Sequence, residues 1–432
     1  MSTSGVKLPD IPGAGDELED YIAALFQASG HFVEKQLVES DPADILELDI
    51  FTTDYAPERI VRRIIEVKGG GWGYTDLFKV VGWMTYLGLE RGAFFVKKWG
   101  DRKTAPDRMK PLGLDVVCFD DFTTAPKDFE AKGFGSFTES GLIGLWRHSY
   151  GVERKLVKTI HDRAKAGSLG AREAKSYYRL INDGTFFARA PEESLAMLYE
   201  AYREHPKLTL GYARELDGGT FNPHSATTQS PSYQAALRQG EHPDLQACMY
   251  LEHRARLAIL KAAVDYAVEH PDGPPPLVSE TGKFVFLGLG YHSLPETFQT
   301  GMDWLRKQPN FRLYPTFWQQ FLWGWGGFFL EDRKGKEFEW MSTYSGIPAK
   351  EIPSALEAFD RFFPSNGWFT TPGRTDVHML KLVPMVFQGI GAHHRRVQYD
   401  LGNNLSALNA SGPYTRGDLG KRINCTVDFL RP

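Results

Sequence analysis

Cysteine is scarce: three residues in a chain of 432, Cys118, Cys248 and Cys425, far apart and without a CxxC pair. That scarcity argues against a disulfide framework and a cysteine zinc site, and a reducing cytoplasm is the simplest setting. Long apolar runs are missing too. The most apolar stretch, FWQQFLWGWGGFFL at 317 to 330, falls short of the roughly 20 residues that a bilayer span requires. Buried core or an aromatic contact surface is expected there, and no membrane partner. The N-terminal MSTSGVKLPDIPGAGDELED has no apolar centre of the kind a secretory signal needs. Positive charge is not in surplus either. A formal net charge of -4 excludes nucleic-acid binding through overall charge and leaves that role to a local basic stripe. No repeat of fixed period is visible.

The composition, 42% hydrophobic and 24% charged, is that of an ordinary globular protein. At this length two or three domains are expected. Residues 13 to 125 alternate between helical and strand patterns: DELEDYIAALFQAS, then HFVEKQLV, DILELDIF, RRIIEVK, the helix TDLFKVVGWMTYLGLE, GAFFVKK and LDVVCF. Strands and helices in this order predict a compact α/β core, a mixed sheet flanked by helices. Residues 140 to 270 turn helical and partly basic. The prolines of HPDGPPPLVSETG, 270 to 282, break that pattern, and 283 to 432 form an aromatic-rich region. The whole is expected to be an α/β core followed by a larger, mainly helical α+β region.

The chemistry concentrates in RRIIEVKGGGWGYTDLFK, 62 to 79. Side chains alternate along a strand, so Glu66 and Lys68 share one face and Val67 takes the other. The glycines that follow let another backbone or a ligand come close. In DILELDIF, Asp49 sits among Ile45, Leu46, Leu48, Ile50 and Phe51, where a carboxylate needs a basic partner, hydrogen bonds or a metal ion. If the two strands pair as a hairpin around TTDYAPE, Asp49 and Glu66 converge. Two carboxylates and a lysine at one point suit a divalent cation that activates water against a phosphodiester. A plain ion pair between Lys68 and either acid is the simpler alternative.

The set formed by GDELE, ELD, IEVK and the amphipathic helix after them resembles the PD-(D/E)xK nuclease superfamily, especially Mrr-type restriction enzymes and archaeal Holliday-junction resolvases. The resemblance covers residues 13 to 120, about a quarter of the chain. It implies a restriction-endonuclease-like fold and metal-dependent endonuclease activity with Mg²⁺ or Mn²⁺. Matched in order, Glu19 takes the place of the first-helix glutamate, ahead of Gly30. Asp49 takes that of the metal-binding aspartate, and Glu66 and Lys68 that of the acid-x-lysine pair. The cation would be held by Asp49, Glu66 and the Val67 carbonyl, with Lys68 orienting the attacking water and Glu19 tuning the metal. No proline precedes Asp49, a departure from the common pattern. Glu17 and Asp44 are rivals for the first acid and the metal aspartate. Lys79, on the following helix, either meets a phosphate or lies on a solvated face.

The substrate expected on this resemblance is nucleic acid, DNA ahead of RNA. The segment 147 to 179 offers Arg147, Arg154, Lys155, Lys158, Arg163, Lys165, Arg172, Lys175 and Arg179 against Glu153, Asp162 and Glu173. Such a stripe suits phosphate contacts and equally suits a helix pair facing acidic neighbours. HHRRVQYD and YTRGDLGKRINC form a second, weaker basic cluster. Adjacent histidines diverge on a helix, so His393 and His394 are expected to be a polar surface pair. Trp304, Trp318, Trp323, Trp325, Trp340 and Trp368 either stack bases, anchor a protein partner or fill a helical core. A nuclease joined to a large region of other character resembles bacterial anti-phage defence effectors, with sensing or partner docking in the C-terminal region. The nuclease subunits of short prokaryotic Argonautes are one version. The alternative of another class is a nuclease-like scaffold without catalysis. Self-association is left open.

Overall fold

The computed structural model describes residues 12–39, 45–138, 141–188, 191, 194–203, 243–274, 279–280, 283–284, 289–324, 328–330, 334–363 and 377–379. The chain divides into two compact units. One comprises Met1–Tyr150 and Asn182–Ala190, the other Gly151–Ile181 and Pro191–Pro432.

The first unit is built on a five-stranded mixed sheet whose spatial order follows the sequence. Strands β1 (Phe32–Glu39), β2 (Leu46–Asp54) and β3 (Val61–Lys68) are antiparallel neighbours. The short segment from Tyr55 to Ile60 is enough for the second reversal. From β3 onward, β4 (Arg91–Val96) and β5 (Leu114–Cys118) run parallel. A parallel neighbour needs a crossover, and helices α2 (Tyr74–Tyr86) and α3 (Ala105–Met109) supply the two. The predicted α/β core is therefore present.

Adjacent residues of β4 show how the sheet is covered. Phe94 lies 5.6 Å from the ring of Trp72, while Phe95 turns to the other face and meets Phe26, Phe119 and Phe134. Helix α1 (Asp16–Ala28) contributes Phe26 to that cluster, and α4 (Ala125–Ala131) contributes Phe129. Leu18, Ile22 and Leu25 recur at helical spacing and are buried with Phe26. The acids at the start of α1, Asp16, Glu17 and Glu19, suit the positive end of the helix dipole.

Two charged side chains are buried between α1 and β1. Asp20 and Lys35 form an ion pair with 4% and 6% of their side chains exposed. The Lys35 ammonium also lies 5.2 Å from the Tyr150 ring, and Tyr150 donates its hydroxyl to Gln27. A buried pair contributes little net stability, but removing one partner strands the other. Lys35→Met is accordingly expected to destabilise the protein by about 3–5 kcal/mol, read from the urea midpoint of the full chain. A change under about 1 kcal/mol, the range of exposed pairs, would mean that Asp20 finds compensation elsewhere.

The second unit is mainly helical. Its longest wholly contained helix, Pro243–Glu269, is buried along most of its length, including Ala255, Ile259 and Ala263. It ends before the predicted proline break. Two small antiparallel pairs accompany the helices, Ser279–Glu280 with Lys283–Phe284 and Phe328–Leu330 with Val377–Met379. Within the apolar stretch at 317 to 330, Phe317, Trp318, Phe321, Leu322 and Trp323 are buried core. Trp304 and Trp340 are half-buried. Trp325, Trp368, His393 and His394 lie outside the described residues. Among the described residues no helix is long and apolar enough to cross a membrane.

Candidate functional site

The antiparallel register of β2 and β3 places Ile50 opposite Ile65. One residue further along, Asp49 comes level with Glu66. The Val67 N–H donates to Asp49 Oδ2 at 2.9 Å, tying the aspartate to the neighbouring strand. Glu66 is 5% exposed, and its Oε1 accepts from Lys68 Nζ at 2.5 Å. Alternation along β3 makes this possible, because residues two apart share a face.

Helix α1 adds Glu19 to the group. Burial holds its carboxyl above the ordinary range, against the pull of Lys35, and Asp16, Asp20 and Glu66 add to the rise. Asp49 is pushed up to about 7, first by burial and then by the charges of Glu66 and Glu19, against the Val67 hydrogen bond and Lys68. Burial alone would lower Lys68, yet the hydrogen bond and charge of Glu66, with Asp49 and Asp76, keep it above its usual value. Asp49 and Glu66 thus share the Lys68 ammonium while Glu19 faces Lys35, and a divalent cation would relieve the repulsion among the three carboxylates.

The glycines after Lys68 have separate roles. A Cβ on Gly69 would stand 3.1 Å from Ala14 Cβ, so this glycine admits the turn that begins α1. Beside Gly70 and Gly71 such an atom would meet nothing within 4 Å. That side is open to a ligand. Of the rival acids, Glu17 accepts the Gly13 N–H at 2.6 Å and secures the entry to α1. Asp44 lies outside the described residues.

One feature of the site carries no motif. Lys35 pairs with Ile50 and Leu37 with Leu48, which leaves Gln36 opposite Asp49. Gln36 has a φ of 54° and is the one non-glycine residue with positive φ among the described residues. The kink costs on the order of 1–3 kcal/mol and interrupts β1 beside the aspartate. A glycine or asparagine would have signalled it in sequence; glutamine does not.

Among the described residues no group of three or more His, Cys, Asp or Glu is arranged to hold a metal ion. A cation here would take two carboxylates, Asp49 and Glu66, with the Val67 carbonyl and water. Mg²⁺ characteristically keeps several waters and binds through one or two carboxylates, so the donor set fits.

Such binding requires Asp49 charged. With its folded pKa near 7, against an ordinary 3.8, the metal-free native state holds a proton that the unfolded chain has released. Asp49 therefore lowers the stability of the metal-free protein as pH rises from about 4 through 7, and a cation binding at pH 6 must displace that proton. Calorimetric titration with Mn²⁺ at pH 6, in two buffers of different ionisation heat, is expected to show proton release that Asp49→Asn abolishes. Equal heats in both buffers with the unaltered chain would contradict the coupling.

The predicted phosphate-binding residues are dispersed. Lys79 is exposed on α2, 4.2 Å from the Trp83 ring. The stripe falls on α5 (Gly141–Lys165) and α6 (Leu169–Ile181). Arg147 leaves it: its side chain is buried in the first unit, 5.5 Å from the Tyr21 ring. In the second unit Arg154 is half-buried, Arg163 is exposed, and Lys158 pairs with Asp162 at 3.4 Å. The Lys155 side chain lies outside the described residues. A cleft of about 570 Å³ there is lined by His161, Asp162, Lys165, Arg172, Lys175 and Arg179 among others. Burial, then Lys175 and Arg179, hold His161 below its ordinary pKa. Four cations of the stripe, Lys165, Arg172, Lys175 and Arg179, line this cleft.

Comparison with protein-family models, with curated proteins and with solved structures finds no match.

Proposed function

We propose that the first unit is a metal-dependent nuclease of PD-(D/E)xK type that hydrolyses phosphodiester bonds. One observation carries this reading: Asp49 and Glu66 are drawn level on adjacent strands, with Lys68 held on Glu66 and Asp49 driven up to about 7 by burial and then by its acidic neighbours. Bound Mg²⁺ or Mn²⁺ would lower the pKa of water and offset charge on the phosphoryl oxygens. Asp49 and Glu66 supply its carboxylate ligands, and the Val67 N–H fixes Asp49 while its carbonyl serves the cation. Lys68, one side chain away, orients the nucleophile and stabilises charge that grows at the reacting phosphate. Glu19 sets the charge of the group from α1.

A second reading keeps the fold without catalysis. It rests on the Lys68–Glu66 contact at 2.5 Å, an ion pair sufficient in itself. The deciding experiment incubates the purified full chain with plasmid, single-stranded DNA and RNA in Mg²⁺, Mn²⁺ or EDTA. Scission in either metal and none in EDTA is expected. Intact substrates in every arm would leave the scaffold reading.

A further inference from the structure

The parallel strands β3 and β4 end at the same edge, with Lys68 paired to Val96. Ligands in open α/β sheets gather beyond the carboxyl ends of such strands. From Lys98 to Lys110 the chain carries five cations, Lys98, Arg102, Lys103, Arg108 and Lys110, against Asp101 and Asp107. Lys98, Lys103, Arg108 and Lys110 are exposed.

This loop is ordered and fastened to the segment that follows Lys68. Trp72 Nε1 donates to the Lys98 carbonyl at 2.9 Å, and the Tyr74 hydroxyl is 3.4 Å from Thr104 Oγ1. Turns close from Arg102 N to Trp99 O at 3.2 Å and from Ala105 N to Arg102 O at 3.0 Å. Two guanidinium groups rest on those same aromatic rings, Arg102 at 5.4 Å from Trp72 and Arg108 at 5.5 Å from Tyr74. A stacked guanidinium has its fork already oriented and loses less freedom on gripping a phosphate. The pair of Asp101 with Arg102 at 3.1 Å is exposed on the acid's side, at 85%, and opposes such a contact weakly.

Trp72 follows Lys68 by four residue steps, a reach of at most roughly 14 Å. A duplex strand advances about 3.4 Å per phosphate, so Trp72, to which the loop is tied, stands within about four nucleotides of the lysine. The open side of Gly70 and Gly71 lies between them in sequence.

We propose that the segment from Lys98 to Arg108 is the track on which a nucleic-acid backbone lies as it enters the acid–lysine site. Lys98, Arg102, Lys103 and Arg108 hold the phosphates, with Trp72 and Tyr74 as rigid supports. The inference rests on the nuclease reading for its substrate and adds the surface that presents it. The contacts reach only phosphates, so they confer affinity without sequence preference.

The test measures anisotropy of a short fluorescent DNA duplex, and of the corresponding single strand, with the full chain across a salt series in EDTA. Lys98→Glu, Lys103→Glu and Arg108→Glu together are expected to weaken binding roughly tenfold or more and to flatten the slope of log affinity against log salt by about 2.7 for three lost phosphates. Lys98→Gln with Lys103→Gln is the milder pair should the triple variant fail to fold, with a flattening of about 1.8. An unaltered slope in a folded variant overturns the track. So does a chain that ignores both oligonucleotides and binds polyglutamate, which would make this an acidic-protein surface. The two readings fail separately. Scission in Mg²⁺ with a salt slope insensitive to the reversals leaves the nuclease and removes the track. Flattened binding without scission leaves the track and removes the catalysis.

Discussion

Glu66→Gln and Asp49→Asn are each expected to lower metal-dependent scission by a thousandfold or more, about 4 kcal/mol of barrier. Gln keeps the size of Glu66 and an oxygen for Lys68 while losing the charge a divalent cation requires. Asn keeps an oxygen for the Val67 N–H, now 2.9 Å from Asp49 Oδ2, so the link between β2 and β3 survives. The metal-free variants should be no less stable near pH 8 than the unaltered chain. Asp49 is held near 7 by burial, Glu66 and Glu19, and removing a crowded charge relieves repulsion. Turnover by gel assay and thermal melting in EDTA check both halves. Scission at the original rate, with unchanged Mg²⁺ dependence, would remove these carboxylates from the mechanism.

Much of the sheet was legible because its signals are local. HFVEKQLV, DILELDIF and RRIIEVK carry the apolar content of half-buried or buried strands, and the short reversal between the last two predicts their antiparallel pairing. An aspartate inside an apolar strand, followed by a strand ending in an acid and a lysine, points to Asp49, Glu66 and Lys68 only weakly, and it is the resemblance of the whole set that prefers Asp49 to Asp44. What was not legible depends on partners distant in sequence. Lys35 looks like a surface residue until the fold buries it on Asp20. Arg147 continues the basic stripe along the chain, yet Tyr21 takes it from the stripe. Lys98, Arg102 and Lys103 resemble any solvated loop, and only the parallel register of β3 and β4 brings them to the end where Lys68 stands. Gln36 gave no sign of its kink, since glutamine has no preference for positive φ.

Lys68→Ala is expected to separate chemistry from binding. Its ammonium touches Glu66 at 2.5 Å and is held above its ordinary pKa by Glu66, Asp49 and Asp76 against the effect of burial. It therefore stays charged throughout the neutral range and cannot serve there as a general base. On the proposed function its work is electrostatic, and preorganised cations and donors of this kind are typically worth about a hundredfold to a thousandfold in turnover. On the proposed track the phosphate grip belongs to other residues, so affinity for an uncleaved oligonucleotide in EDTA should stay within about tenfold, or roughly 1.4 kcal/mol. A second effect follows from the 5% exposure of Glu66. Without the cation it now touches, that carboxylate loses the contact that fixes its position, and the metal concentration for half-maximal rate should shift. Lys68→Arg restores the charge but offers a planar fork in place of a point donor, so it should recover the metal dependence more fully than the turnover. Rates at saturating metal and substrate, set beside affinity in EDTA, decide between roles. A parallel fall of rate and affinity in Lys68→Ala would make the lysine a phosphate anchor, continuous with Lys98 and Lys103, and would shift the stabilisation of the transition state onto the metal and its two carboxylates.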